Sequence, residues 1–162
     1  MRLRSILPVV LSAIVGAVML SIPLEGRILD LRFWYTGAEA LQYLESLSVD
    51  AGRQYWLHEL LDLVFMSSYS WAFFVFWPVS GRLANWRALS LLPGALDFIE
   101  TFGILLLLSA CSVLPRAPIA TAVSSVTPIK YLAFYGVLIF ELVGRLILRL
   151  FIEERGSDQT KT

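Results

Sequence analysis

The sequence predicts an all-α membrane protein: a four-transmembrane-helix bundle with a short amphipathic helix in the first outer loop. Three observations predict it. The 162 residues are 57% hydrophobic and only 16% charged, against about 45–50% and 25% in soluble domains, and the mean hydropathy is +0.71. Four apolar runs each reach the roughly 20 residues that cross a bilayer core. Prolines, glycines and polar stretches separate these runs. Residues 1–152 read as a single domain, with spans near 5–24, 55–77, 88–114 and 129–152, and no soluble domain or internal repeat is visible.

The first run, Ser5 to Leu24, is uncharged and follows the basic start Arg2 and Arg4. A cleaved signal peptide is the competing reading, but its apolar region is about 7–15 residues and ends in small residues. This run is longer and leads into Ser21-Ile22-Pro23, so a retained first helix is expected.

Residues 25–54 form the polar outer loop. Thr36 with Glu39 three residues on is a capping box. Leu41, Leu44 and Leu47 then repeat at spacing three, the pattern of a small amphipathic helix lying on the membrane face or capping the bundle. Asp50 is positioned to cap the next helix, expected to start near Ala51.

The second span, 55–77, carries His58, Glu59 and Asp62 in its first turns and no charge from Leu63 to Gly81. Trp56 and Trp77 near its ends fit an interfacial aromatic belt. The aromatic run from Trp71 reads as lipid-facing and packing surface. The short connection to Arg87 makes spans two and three antiparallel neighbours.

The third span, 88–114, holds Pro93-Gly94, so a kink or local unwinding is expected over Leu89 to Gly94. Pro115 to Thr127 reads as a turn-rich loop, and Pro128 opens the fourth span. Residues 153–162 read as a disordered tail. The lone cysteine, Cys111, reads as a small buried hydrophobe.

Counting Lys and Arg places eight on the side of the N-terminus and five, including Lys130, on the other. The positive-inside bias puts both termini in the cytoplasm of a cell membrane, with a bacterial inner membrane as the expected setting.

The site argument begins with acids inside apolar helices. One near a bilayer centre costs about 2.5–3.5 kcal/mol, so it faces the bundle interior or a cavity. Asp97 and Glu100, at i and i+3, share a helix face. Measured from the inner boundary along the axes, Asp97 and Glu100 fall at roughly 14 and 18 Å, and Arg145 and Glu141 at roughly 10 and 16 Å. These four are therefore expected in one layer, with Arg145 the cation. His58, Asp62 and Tyr69 form a polar stripe down the second span. The candidate catalytic residues are Asp62, Asp97, Glu100 and His58, with Tyr69, Glu141 and Arg145 completing the polar cluster.

Four acids against one arginine and one histidine leave excess negative charge. A buried carboxyl then keeps its proton and can donate it, with an ionised neighbour as base. Alternatively the excess holds a cation through oxygen ligands. An architectural ion-pair network fits the same residues, and His58 also fits an interfacial position. No cofactor is expected: there is no phosphate loop, one histidine excludes a bis-histidine haem, and no Cys/His cluster with zinc spacing exists. Zero net charge leaves no footprint for nucleic acid.

Asp30 to Thr101 resembles a pattern in uncharacterised bacterial four-span membrane proteins. It comprises the Tyr35 to Leu47 helix, a Gly-Arg-x-x-Tyr step that is here Gly52-Arg53-Gln54-Tyr55-Trp56 with Tyr shifted by one position, Asp62 and Tyr69, and Asp97-Phe98-Ile99-Glu100-Thr101, where Thr101 replaces an amide. A looser resemblance is to the EXPERA group of sterol isomerases and sigma-2-like proteins, in which a His and an acid on one helix and an acid on the next surround a lipid pocket. His58 with Asp62, then Glu100, look like that layout.

Three functions follow. The first is a structural or binding membrane protein, whose partners are the lipid bilayer, a hydrophobic small molecule or lipid, a second copy, or another membrane protein. The second is a small enzyme of isomerase or proton-transfer type acting on a hydrophobic substrate. The third is a proton- or cation-linked transporter subunit.

Overall fold

A computed structural model of the chain describes the backbone of residues 3–24, 26, 28–77, 81–109 and 115–159, and side chains over 6–24, 26, 28–77, 86–109 and 115–144. Every regular element among them is helical. Helix α1 (Leu3–Ser21) is followed by a 3₁₀ turn at Leu29–Leu31, the short α2 (Gly37–Ser46) and α3 (Val49–Phe76). A 3₁₀ stretch, Gly81–Leu91, leads into α4 (Leu92–Leu108), and α5 (Arg116–Gln159) closes the chain. Three helical stretches, Val49–Phe76, Trp86–Leu108 and Arg116–Gly144, are long and apolar enough to cross a membrane, and Ile6–Ser21 is a shorter apolar helix.

The helices bury polar and charged residues among apolar ones and expose large apolar side chains. On α4, Asp97, Glu100, Thr101, Ile104 and Leu107 are buried at helical spacing, while Phe98, Ile99 and Phe102 are exposed. Leu132, Ile139 and Leu142 are exposed on α5 as well. Water would penalise such a surface, whereas an apolar solvent would not.

Helix α2 caps the bundle. Thr36 closes the expected capping box: its hydroxyl accepts from the Glu39 N–H, and Glu39 Oε2 accepts from the Thr36 N–H at 2.7 Å. Ala40 and Leu44 are buried in a core with Leu29, Tyr35, Tyr55, Ile104, Ala120 and Val123. The backbone of α2 approaches α5 so closely that a Cβ on Gly37 would stand 2.8 Å from Thr121 N. Helix α3 starts at Val49 under Ser48, whose hydroxyl accepts from Ala51 N–H, rather than under Asp50.

The third and fourth spans differ from the sequence reading. Unwinding near Pro93-Gly94 is present as the 3₁₀ stretch through Leu91, with Pro93 in the first turn of α4, where a missing N–H costs nothing. The 115–127 segment is not a loop. From Arg116 onward it forms the first turns of α5, with Pro118 near its start and Pro128 inside the helix. Small residues there let two helices approach: Ala120 packs against α2, and Val123 against Gly103 of α4. Packing on two sides offsets the bond that Pro128 removes. Helix α5 also continues to Gln159, into the segment read as a disordered tail. Cys111 lies outside the described residues.

Candidate functional site

The extended α5 sets the site, because it fixes the register against α4. The two run antiparallel, bringing Gly103 level with Val123, Glu100 with Thr127 and Asp97 with Lys130. The expected pairing was thus out by about 13 residues, roughly 20 Å along the axis. Glu141 is buried, but three turns beyond Lys130 and roughly 16 Å from the Asp97 layer. The side chain of Arg145 lies outside the described residues. The cation that meets the acids is Lys130, which the sequence places at the outer end of the fourth span.

Lys130 Nζ lies 2.9 Å from Asp97 Oδ1 and also contacts Glu100 Oε2. Asp97 stands midway along the Trp86–Leu108 stretch, so this triad occupies its centre. Each carboxylate has a second anchor. Tyr69 donates to Asp97 Oδ2 at 2.7 Å, and its ring is held edge-on by Phe65, Phe73 and Phe134 with centroids 5.4–5.7 Å away. Thr127 carries one hydroxyl proton, used in its short contact with Glu100 Oε1. Tyr35, from the connection before α2, donates to the same oxygen at 3.4 Å. Burial and the nearby Glu100 carboxylate push the Tyr35 phenol well above its ordinary pKa, so it stays a donor.

A second group of acids adjoins the triad. Thr101 donates to Asp62 Oδ2 at 2.8 Å. His58 is buried between Asp30 and Glu59, with Nδ1 3.9 Å from an oxygen of each. Asp30 sits in the 3₁₀ turn after α1, fixed by Tyr131, which donates to its backbone carbonyl, while Tyr55 OH accepts from Leu29 N–H. Burial foremost, then the neighbouring Glu59, raises the Asp30 pKa well above its ordinary value.

A cavity of about 350 Å³ opens against these groups. Asp30, His58, Asp62, Tyr69, Asp97 and Lys130 form its polar wall. Gly16, Met19, Leu20, Phe65 and Phe134 are among its apolar lining. Glu100 does not line it; the triad, Thr127 and Tyr35 enclose that side chain.

Of the residues singled out in the sequence, His58, Asp62, Tyr69, Asp97 and Glu100 come together and Glu141 does not join them. Asp30, Glu59, Lys130, Tyr35 and Thr127 were missed. For Lys130 a signal existed: a lysine two residues into an apolar run is as costly as an acid there and needs a partner. Glu59 beside His58 carried the same signal. Asp30, Tyr35 and Thr127 lay in stretches read as loop, where polar residues are unremarkable.

Comparison of the chain with protein-family models, curated proteins and solved structures yields no match.

Proposed function

We propose that this chain is a four-span integral membrane protein that binds a hydrophobic or amphiphilic small molecule, such as a lipid, in the cavity beside Lys130. The observation carrying this reading is the cavity's composition: apolar side chains from three elements around one polar wall containing a lysine and several carboxyls. Small-molecule sites have this character, mostly apolar with a few convergent polar groups, and a volume of about 300–1,000 Å³. A guest would bury its apolar part against Met19, Phe65 and Phe134 and present a polar end to Asp62, Asp97 and Lys130. Alpha-1 supplies the fourth span in this reading, and the cluster also fixes the helix register.

Gly16 provides the test, because it lines the cavity and touches none of the polar groups. Gly16→Leu fills space a guest needs. Displacing an apolar moiety of that size forfeits about 1.5–3 kcal/mol, or roughly ten- to a hundredfold in affinity. Binding of an environment-sensitive lipophilic fluorophore to the detergent-purified protein reads this out. Equal affinity in Gly16→Leu and wild type would rule the cavity out as the binding place.

A second reading, a proton-transfer enzyme on a hydrophobic substrate, is favoured by one observation. Asp62 and Asp97 both reach the cavity, one held by Thr101 and the other by Lys130 and Tyr69. Two carboxyls in unlike surroundings can divide acid and base roles. In that case Asp97 and Asp62, rather than the enclosed Glu100, act on the substrate. Loss of turnover in Asp62→Asn with unchanged probe binding would favour this reading over binding alone.

A further inference from the structure

Glu59 is 0% exposed, and with both acids ionised neither of its carboxylate oxygens has a hydrogen-bond donor; the one group within reach is the Asp30 carboxyl, which could donate only if protonated. Both carboxylate oxygens of the buried Asp30 and Nδ1 of the buried His58 are in the same condition. Leaving one buried polar atom unpaired costs about 1–3 kcal/mol, and more when it is charged. Folded proteins hold only a few such atoms. Here five stand together.

Their spacing suits a common centre. Nδ1 of His58 is 3.9 Å from Asp30 Oδ2 and 3.9 Å from Glu59 Oε1, and one donor atom from each residue lies within 4.8 Å of the other two. Atoms bound to one first-row ion at about 2.0–2.2 Å lie roughly 3.3–3.6 Å apart at a tetrahedral angle, and up to about 4.4 Å when opposite. The observed separations need only a small contraction.

We propose that Asp30, His58 and Glu59 bind a divalent first-row transition ion, with Zn²⁺ as the best match. One neutral imidazole and two carboxylates are an N/O donor set of the kind that suits Zn²⁺; Mg²⁺ and Ca²⁺ favour all-oxygen shells of six or more ligands. Two carboxylates also balance the charge of the ion. Asp30 and His58 both border the cavity, so an open fourth position would face it. Three protein ligands and one open position are the arrangement of catalytic rather than structural zinc. His58 would bind through Nδ1. This site stands whether or not the cavity takes an organic guest. The competing occupant is a proton shared between Asp30 and Glu59.

The experiment uses the full chain in detergent micelles, stripped with a chelator and titrated with Zn²⁺ by calorimetry. One ion per chain is expected, with a rise in unfolding temperature. Glu59→Gln and His58→Gln should each weaken binding by more than about tenfold, the scale of losing even an outer-shell partner. Glu39→Gln and Asp50→Asn, exposed acids elsewhere, should leave it unchanged. Should the His58 or Glu59 variants fail to fold, X-ray absorption on Zn²⁺-loaded wild type decides. The chain has one histidine and one cysteine, so a shell of one imidazole and oxygens without sulfur identifies His58. No binding, binding unaffected by both variants, or a shell lacking imidazole or containing sulfur overturns the proposal.

Discussion

Lys130→Met tests the centre of the bundle. Methionine keeps the length and apolar stem of lysine but removes its charge. Asp97 and Glu100 would then be buried near each other without the ammonium that contacts both. Removing one partner of a buried ion pair costs about 3–5 kcal/mol, because the remaining charge stays desolvated. For a domain of this size each kcal/mol moves the melting temperature by about 2–4 °C, so a fall of roughly 6–20 °C is expected. Thermal unfolding in detergent micelles, followed by the fluorescence of the five tryptophans, measures it. Arg53→Met is the control: its ion pair with Asp50 is solvent-exposed at 3.6 Å and such pairs contribute about 0–1 kcal/mol. The triple variant Lys130→Met, Asp97→Asn, Glu100→Gln should recover much of the loss, since no buried charge is left unpaired. A melting temperature for Lys130→Met within about 2 °C of wild type would refute the reasoning.

Asp30 gives a pH dependence in the metal-stripped protein. Its raised pKa means the folded chain keeps a proton that the unfolded chain releases above about pH 4. The stability it contributes is complete below that pH and is lost as pH rises through the folded-state value. Asp30→Asn copies the protonated acid, so its melting temperature should gain on wild type as pH rises from about 4; parallel curves would contradict the assignment. Gly37→Ala places a Cβ 2.8 Å from the backbone nitrogen of Thr121, where no side chain can rotate away. Overpacking of this kind costs about 1–3 kcal/mol, read as a lower melting temperature; an unchanged one would mean α2 does not seat on α5 as described.

The helices were legible in the sequence because apolar runs of span length and the Thr36–Glu39 box are local signals. So was the convergence of His58, Asp62, Tyr69, Asp97 and Glu100, since acids inside apolar helices must turn inward. The register was not legible. Pro115, Pro118 and Pro128 all argue locally for a loop, and only contacts with Gly37 and Gly103, distant in sequence, make helix the better state for 116–127. From that one error followed the others. Lys130 fell at the outer end of the span, Arg145 took its place opposite Asp97, and Glu141 was drawn into a layer it does not reach.

Helix α1 packs chiefly on α3, and this decides how anything gets in. Two of the residues lining the cavity, Leu20 on α1 and Tyr135 on α5, are exposed on the surface of the protein. Were the chain embedded in a bilayer as proposed, that rim of the cavity would look sideways, among the acyl chains. A visitor would need to dissolve in fat before it met the lysine.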